Sequence, residues 1–293
     1  MDSQKPNRIL LLSDVGSAWN RGILRGIAKY AQIHTSWVFW RTGPSDWFFQ
    51  FKDFKKTYDY LMRWHPDACV TLLGKVSDEL ISTGIPIVAA DDHDQLTSIP
   101  HVTSDYKCIA RTGYEYLKSL GYSSFAYCGL DNTRYSLGRQ KYFYDLAVKD
   151  GHKIYIYKHD PTKPTSSWEI RQKNLVEWIQ YLPKPIALMA SNDDASRHIL
   201  ESCRLADVRV PEDVAVLGVD NDEVICELSF PPISSIALDF ESAGYKVGEL
   251  LNNMLTNGYK CTNHTITVAA TYVKQRRSTA LIAVEDEQVR DAL

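Results

Sequence analysis

No stretch of the 293 residues approaches the run of about 18 apolar residues that a membrane-spanning helix needs. The first apolar run, Ile9-Leu10-Leu11-Leu12, is far shorter than a secretion-signal core and passes directly into Ser13 and Asp14. These two absences predict a cytoplasmic protein with no membrane partner. Cysteine is sparse and unpatterned: Cys69, Cys108, Cys128, Cys203, Cys226 and Cys261 include no CxxC pair, and most sit in apolar strand or helix patterns, as buried free thiols of a reducing compartment do. Charge of one sign is missing too. With 33 Lys and Arg against 36 Asp and Glu, the formal net charge is −3, which excludes a global electrostatic pull toward nucleic acid or anionic lipid. Catalytic motifs are absent: no GxSxG elbow, no P-loop, no HExxH and no GxGxxG after a strand. Ser104, His198 and Asp220 form a Ser/His/Asp set only on paper, since nothing in the sequence fixes their geometry. The run Asp91-Asp92-His93-Asp94 has no second His or Cys cluster nearby and reads as a solvated loop beside a cleft rather than a metal site. Neither metal nor cofactor is expected, and binding is a stronger reading than catalysis.

What is present is an alternation of strands and helices. Arg8 to Ser13 reads as a buried strand and Trp19 to Ala31 as an amphipathic helix carrying Ile23, Ile27 and Tyr30. Strands follow at 37–40, 68–73, 85–89 and 101–103, with helices around 52–63 and 76–82, and then a helix from Tyr106 that ends at Gly121. A second series repeats the rhythm: strands at 124–128, 153–157, 186–190 and 214–219 alternate with helices near 139–149, 167–181 and 195–205. Such alternation predicts an α/β protein of two doubly wound parallel-sheet lobes with a cleft between them. The helix from Asp239 to Leu255 is expected to cross back to the first lobe, ahead of strands at 265–269 and 271–273. The lobes are placed at 1–121 plus 238–262 and at 122–237 plus 263–277. Gly22 and Gly26 suit a close helix contact better than a phosphate cradle.

Five strands run straight into polar residues: Ser13-Asp14 with Trp19-Asn20, Thr103-Ser104-Asp105, Gly129 to Arg139, Ser191-Asn192-Asp193, and Gly218 to Asp222. Ligands of open parallel sheets bind outside the carboxyl ends of the strands, so these groups point to one shared pocket. The residue types suit a neutral sugar. Asp105 and Asp220 accept hydrogen bonds from adjacent hydroxyls, Arg139 forks across two oxygens, Asn192 or Asp193 completes the ring of contacts, and Trp19 offers an aromatic face. Each has a structural alternative. Asp105, Asn192 and Asp220 fit as helix caps, Arg139 as a surface helix arginine, and Trp19 as helix-packing core.

The order Ser104-Asp105, Leu117 to Tyr127, Arg139, Met189 to Asp193, Val216 to Asn221 and Ser235 to Phe240 resembles LacI-type sugar-sensing domains over most of the chain. Ser196 to Leu200, Val210-Pro211-Glu212, Gly218 to Glu223 and Gln275 to Thr279 are closer still to the xylose operon regulators, whose sensor precedes an AraC-type DNA-binding module. The resemblance implies a periplasmic-binding-protein-like type I fold and a monosaccharide effector, xylose or another pentose. It also implies no catalysis, dimerisation, and control of operator DNA. By position it carries the sugar contacts to Asp105, Arg139, Asp193 and Asp220, with Asn192 adjacent and Trp19 in the region that supplies a ring. The first strand starts too early for a preceding helix-turn-helix. Residues 278–293 are therefore read as a linker and the start of a C-terminal DNA-binding module that lies beyond this chain. In this reading the sugar bridges Asp105 on the first lobe and Arg139, Asp193 and Asp220 on the second, and favours the closed state. The rival readings are a sugar-transport protein, which needs an export signal, and a sugar-modifying enzyme, which consumes its ligand.

Overall fold

Ile9 to Leu12 lie in an interior strand of a parallel sheet, flanked by a strand on each side, which is why the run is apolar throughout rather than alternating. The structure, a computed structural model, describes residues 5–42, 59–72, 78–90, 99–129, 133–158, 168–258 and 264–280. The Asp91 to Asp94 loop, the start of the helix expected at 52–63, Cys261 and the 284–293 segment lie outside these residues. Strand β1 (Arg8–Leu12) pairs in parallel with β2 (Val38–Thr42) on one side and β3 (Ala68–Thr71) on the other. Strands β4 (Ile87–Ala89), β5 (His101–Ser104) and β11 (Thr265–Val268) extend it, giving the order β11-β5-β4-β3-β1-β2.

Helix α1 (Ala18–His34) starts where Ser17 Oγ accepts a hydrogen bond from the Asn20 amide at 3.1 Å, a serine N-cap. A short helix, α2 (Asp78–Ser82), precedes β4. Helix α8 (Phe240–Asn257) is capped by Asp239 and ends at Gly258, whose φ of 60° is the left-handed C-cap that glycine favours. Helices α1 and α8 pack against each other. A Cβ on Gly26 would strike the Glu241 carbonyl and the Tyr245 amide, and one on Gly244 would strike the Ile23 backbone. The glycines are there because the two helix backbones touch, as the spacing of Gly22 and Gly26 predicts.

The second sheet has the order β12-β10-β9-β8-β6-β7: β6 (Ser124–Cys128), β7 (Lys153–Ile156), β8 (Ile186–Ala190), β9 (Val214–Asp220), β10 (Ser234–Leu238) and β12 (Ala270–Lys274). All neighbours are parallel except the edge pair β10–β12. Helices α3 (Tyr106–Ser119) and α4 (Arg134–Lys149) pack together, as do α5 (Trp168–Tyr181) and α6 (Asp193–Leu205), while α7 (Glu223–Leu228) follows β9. Alternation along β6 shows that the sheet is wound on both faces. Phe125 and Tyr127 meet Phe143 of α4, whereas Ala126 and Cys128 join Leu175, Ile179 and Ile199 of α5 and α6.

The contacts divide the chain into two units, Met1–Ser104 with Asp239–Val268 and Asp105–Leu238 with Ala269–Leu293. The α/β class with two parallel-dominated sheets is as expected. The boundaries fall elsewhere than at 121/122 and 262/263. Helix α3 clusters with α4, β10 and β12, so the second unit starts at Asp105; β11 hydrogen-bonds to β5, so Thr265 to Val268 belong to the first unit. No helix among the described residues is long and apolar enough to cross a membrane. Cys69, Cys128, Cys203 and Cys226 are buried and unpaired, and burial pushes the Cys203 thiol up to about 12, where it is an inert core side chain.

Candidate functional site

The strand ends of the second unit bring four of the six sequence candidates into one neighbourhood. Arg139 is held on α4 with only 2% of its side chain exposed. Its Nη1 donates to the carbonyl of Ser191 at the end of β8, its Nη2 stands 3.7 Å from Asp220 Oδ1, and its guanidinium carbon lies 5.1 Å from the Tyr135 ring centroid. A surface arginine is thereby excluded: this one is a buried cross-link between α4, β8 and β9. Asp220 closes β9 with φ of 103°, and Asn221 follows with φ of 49°, so two consecutive non-glycine residues hold left-handed backbone. Such conformations persist where surrounding contacts over-determine them, and they cluster at functional sites.

Asp193 supplies one of those contacts. It is 1% exposed; Oδ2 accepts from the Asp222 amide at 2.7 Å and Oδ1 from Ser235 Oγ at 2.6 Å. Gly218 leaves the space for it, since a Cβ there would run into Asp193 Oδ1 and Ser196 Oγ. Burial, and next the Asp220 carboxylate, push the Asp193 carboxyl well above the ordinary range, against the lowering pull of Ser235, Asp222 and Cys226. Asp193 is expected to touch the ligand, whereas the structure shows it buried beneath the 220–222 loop, with its oxygens given to protein donors. Asn192 caps α6: Oδ1 accepts from the Ala195 amide at 2.9 Å, which starts the helix two residues before the expected position, while Nδ2 faces the Tyr135 hydroxyl at 3.4 Å.

The other two candidates have local structural roles. Asp105 caps α3, accepting from the Cys108 amide at 2.9 Å, and it belongs to the second unit rather than the first, because the helix it caps packs on α4 and β12. Trp19 belongs to the first unit. Its Nε1 donates to the Ala90 carbonyl at 2.7 Å and its ring meets Phe240 edge-on at 5.4 Å, the packing alternative for this residue.

Beside Asn192 opens a cavity of about 350 Å³ between α5 and α6. Ser191, Asn192 and Asp194 line its β8 end, Tyr157 and Trp168 give it aromatic walls, and Arg171, Gln172 and His198 add polar groups. Trp168 is 52% exposed, unusual for a tryptophan at a helix start. Burial, then the Arg197 and Arg171 cations, hold the His198 imidazole below its ordinary value. At neutral pH it is therefore uncharged and offers one donor and one acceptor. Arg139 reaches the same corner through the Ser191 carbonyl. Among the described residues no group of three or more His, Cys, Asp or Glu is placed to hold a metal. The Ser104, His198 and Asp220 set gains no support as a relay either: His198 lines the α5–α6 cavity, whereas Asp220 pairs with Arg139.

A family profile described as periplasmic binding protein-like domain matches residues 114–279. The chain belongs to this family. The matched segment runs from α3 to the turn beyond β12, so it takes in Arg139, Asn192, Asp193, Asp220 and the α5–α6 cavity of the family domain. The xylose operon regulatory protein of Escherichia coli (strain K12) is 27% identical over 299 aligned residues, which cover 99% of this chain and 74% of that protein. The protein of the same name from Haemophilus influenzae is 28% identical over 295 residues, 98% of this chain and 74% of its own length. Among solved structures, a xylose-binding transcription activator superposes with a TM-score of 0.82 at 25% identity, over 99% of this chain and 73% of that one. These relatives are regulators of transcription and not enzymes, in agreement with the expectation of a non-catalytic family member.

The cavity walls were missed by sequence reasoning, which fixed on the tryptophan after β1. Trp168 carries the same local signature, an aromatic at the start of the helix that follows a strand, in the series that also supplies Arg139 and Asp220.

Proposed function

We propose that this chain is the effector-sensing part of a cytoplasmic transcriptional regulator that binds a monosaccharide, D-xylose or another pentose. One observation carries the reading: a cavity of about 350 Å³ lined by the aromatic rings of Tyr157 and Trp168 and by the polar groups of Asn192, Asp194, Arg171 and His198, in a chain alignable over nearly its whole length with xylose operon regulators. A pyranose presents a C–H face to an aromatic ring and a rim of hydroxyls that both donate and accept, which is the division of chemistry found here. The volume lies at the small end of ligand cavities, suited to one sugar ring. Asp105 and Trp19 remain proposed contributors, and Asp193 acts from beneath by holding the loop that bears Asp220.

The proposed signal is a ligand-driven bias between arrangements of the two units, which requires differential affinity for those arrangements. It passes to an AraC-type module that would read operator DNA from beyond this chain. Dimerisation is proposed through the apolar surface of Val224, Leu228 and Phe230, exposed by 62%, 83% and 82%, a patch that a second copy would cover with its own.

Isothermal titration with D-xylose, L-arabinose, D-ribose and D-glucose tests the reading. Saturable heat with one pentose, reduced at least about tenfold by Trp168→Ala with little change in stability, is the expected result. No heat from any sugar, or an unaffected Trp168→Ala variant, would overturn it.

A further inference from the structure

The segment that follows β12 is stitched to the loop that bears Asp220, and one side chain makes the connection. Arg276 follows β12 and is 7% exposed. Its Nε donates to Glu227 Oε1 at 2.6 Å; its Nη1 donates both to Asn221 Oδ1 and to the Ile233 carbonyl, each at 2.9 Å. Its main chain is held as well: the Arg276 amide donates to Ser234 Oγ at 2.8 Å, and Ser234 Oγ donates to the Arg276 carbonyl at 2.9 Å. The next residues are locked down in turn. Ser278 Oγ donates to the Val216 carbonyl at 2.6 Å, and Thr279 Oγ1 meets Ser234 Oγ and the Tyr116 hydroxyl, each at 2.7 Å. Ser278 and Thr279 are fully buried.

We infer that Arg276 is a positioning residue: it holds Asn221, and with it Asp220, in left-handed backbone and ties that loop to the buried segment 276–280. Nothing in the proposed sugar chemistry uses Arg276, whose guanidinium is spent on Asn221, Ile233 and Glu227. Three anchors over-determine the loop, namely Asp193 on the Asp222 amide, Ser235 Oγ on the Asn221 amide at 3.0 Å, and Arg276 on the Asn221 side chain. Of these only Arg276 also belongs to the segment that follows β12. A fork of charge-assisted donors transmits geometry because it fixes distance and direction together, which a lysine ammonium does not. A displacement of Asp220 on ligand contact is therefore felt at 276–280, and coupling between two sites runs equally in both directions. The sensing role of this connection rests on the proposed sugar site; the connection itself does not.

Hydrogen exchange followed by mass spectrometry on the ligand-free protein tests it, using peptides that cover 218–223 and 274–280. Arg276→Lys should speed exchange at the Asn221 and Asp222 amides by about tenfold, while β8 and β9 core amides keep wild-type rates. Asn221→Ala should reciprocally speed exchange across 276–280. Glu227→Ala, which removes only the exposed partner, should leave 218–223 unchanged. Uniform acceleration throughout the second unit in Arg276→Lys would make Arg276 a general stabiliser and overturn the inference, as would silence at 276–280 in Asn221→Ala. Failure of every sugar to bind the wild type would refute the proposed function and leave these ligand-free results to decide the connection separately.

Discussion

Replacing Arg139 with methionine keeps the buried stem and deletes the guanidinium, so its effect can be worked from three contacts. The hydrogen bond to the Ser191 carbonyl is charge-assisted and buried, and its loss, with the carbonyl left unpaired, costs about 1.5–3 kcal/mol. The cation over Tyr135 adds about 0.5–1 kcal/mol. The ion pair with Asp220 is long at 3.7 Å and largely buried, so the cost of desolvating its charges offsets the attraction, and it is given under about 1 kcal/mol net. With some recovery from the added methionine contacts, a net loss of about 3 kcal/mol is expected. For a unit of this size that corresponds to a fall of about 6–12 °C in Tm. Differential scanning calorimetry should show the loss in the transition of the second unit, with the first unit's transition unmoved. Arg139→Lys should fall between, since it restores a charge without the fork. A drop of less than about 2 °C in Arg139→Met would refute the reasoning, because a guanidinium that is buried and engaged cannot be removed at so small a cost.

Other predictions follow from the same corner. Gly218→Ala places a methyl group against Asp193 Oδ1 and Ser196 Oγ and should cost about 1–3 kcal/mol in urea denaturation; a neutral result would mean that the carboxylate moves freely. Ser202 Oγ is buried without a hydrogen-bond partner among the described residues, so Ser202→Ala should be neutral or stabilising by up to about 1 kcal/mol by the same assay. Asp193 makes stability depend on pH with a definite sign. Its folded pKa lies above its unfolded value, so above about pH 4 the native state holds the proton more tightly and this group's stabilisation falls as pH rises, by up to about 1.4 kcal/mol per unit. Asp150 and Glu201, whose pKa values are lowered by Lys118 and Arg204, act in the opposite sense, so the wild-type curve is to be compared with that of Asp193→Asn. The difference should grow in favour of the variant from pH 4 upward; a constant difference would mean that Asp193 titrates normally.

The α/β class was legible because burial on both faces leaves parallel strands uniformly apolar, as in Ile9 to Leu12 and Val214 to Val219, with helical periodicity between them. Boundaries between the units were not legible, because no local pattern reveals which sheet an edge strand joins. Strand β11 is short and half-exposed, and its hydrogen bonds to β5 and its packing on α8 assign it. Helix α3 reads alike in either unit, and its membership is decided by Tyr114 packing on Phe125 and Phe143.

Within the site, residue type proved a weaker guide than the demands of the backbone. Any carboxylate or amide after a strand suits both a ligand and a helix N-terminus, and Asp105 and Asn192 took caps because the free amides of α3 and α6 sit nearest to them. Asp193 was drawn under the loop by Gly218, the one β9 position without a side chain to exclude it. The two tryptophans differ for a related reason. Trp19 enters a helix that must lie close on α8, where Gly22 clears space for Phe240, so its ring is drawn into packing. Trp168 opens a helix whose inward face is already supplied by Leu175 and Ile179, which leaves its ring half in solvent at the cavity wall. An indole the core does not need, held beside polar groups at the strand ends, is better placed to recognise a ligand than one whose Nε1 is already bonded to a carbonyl.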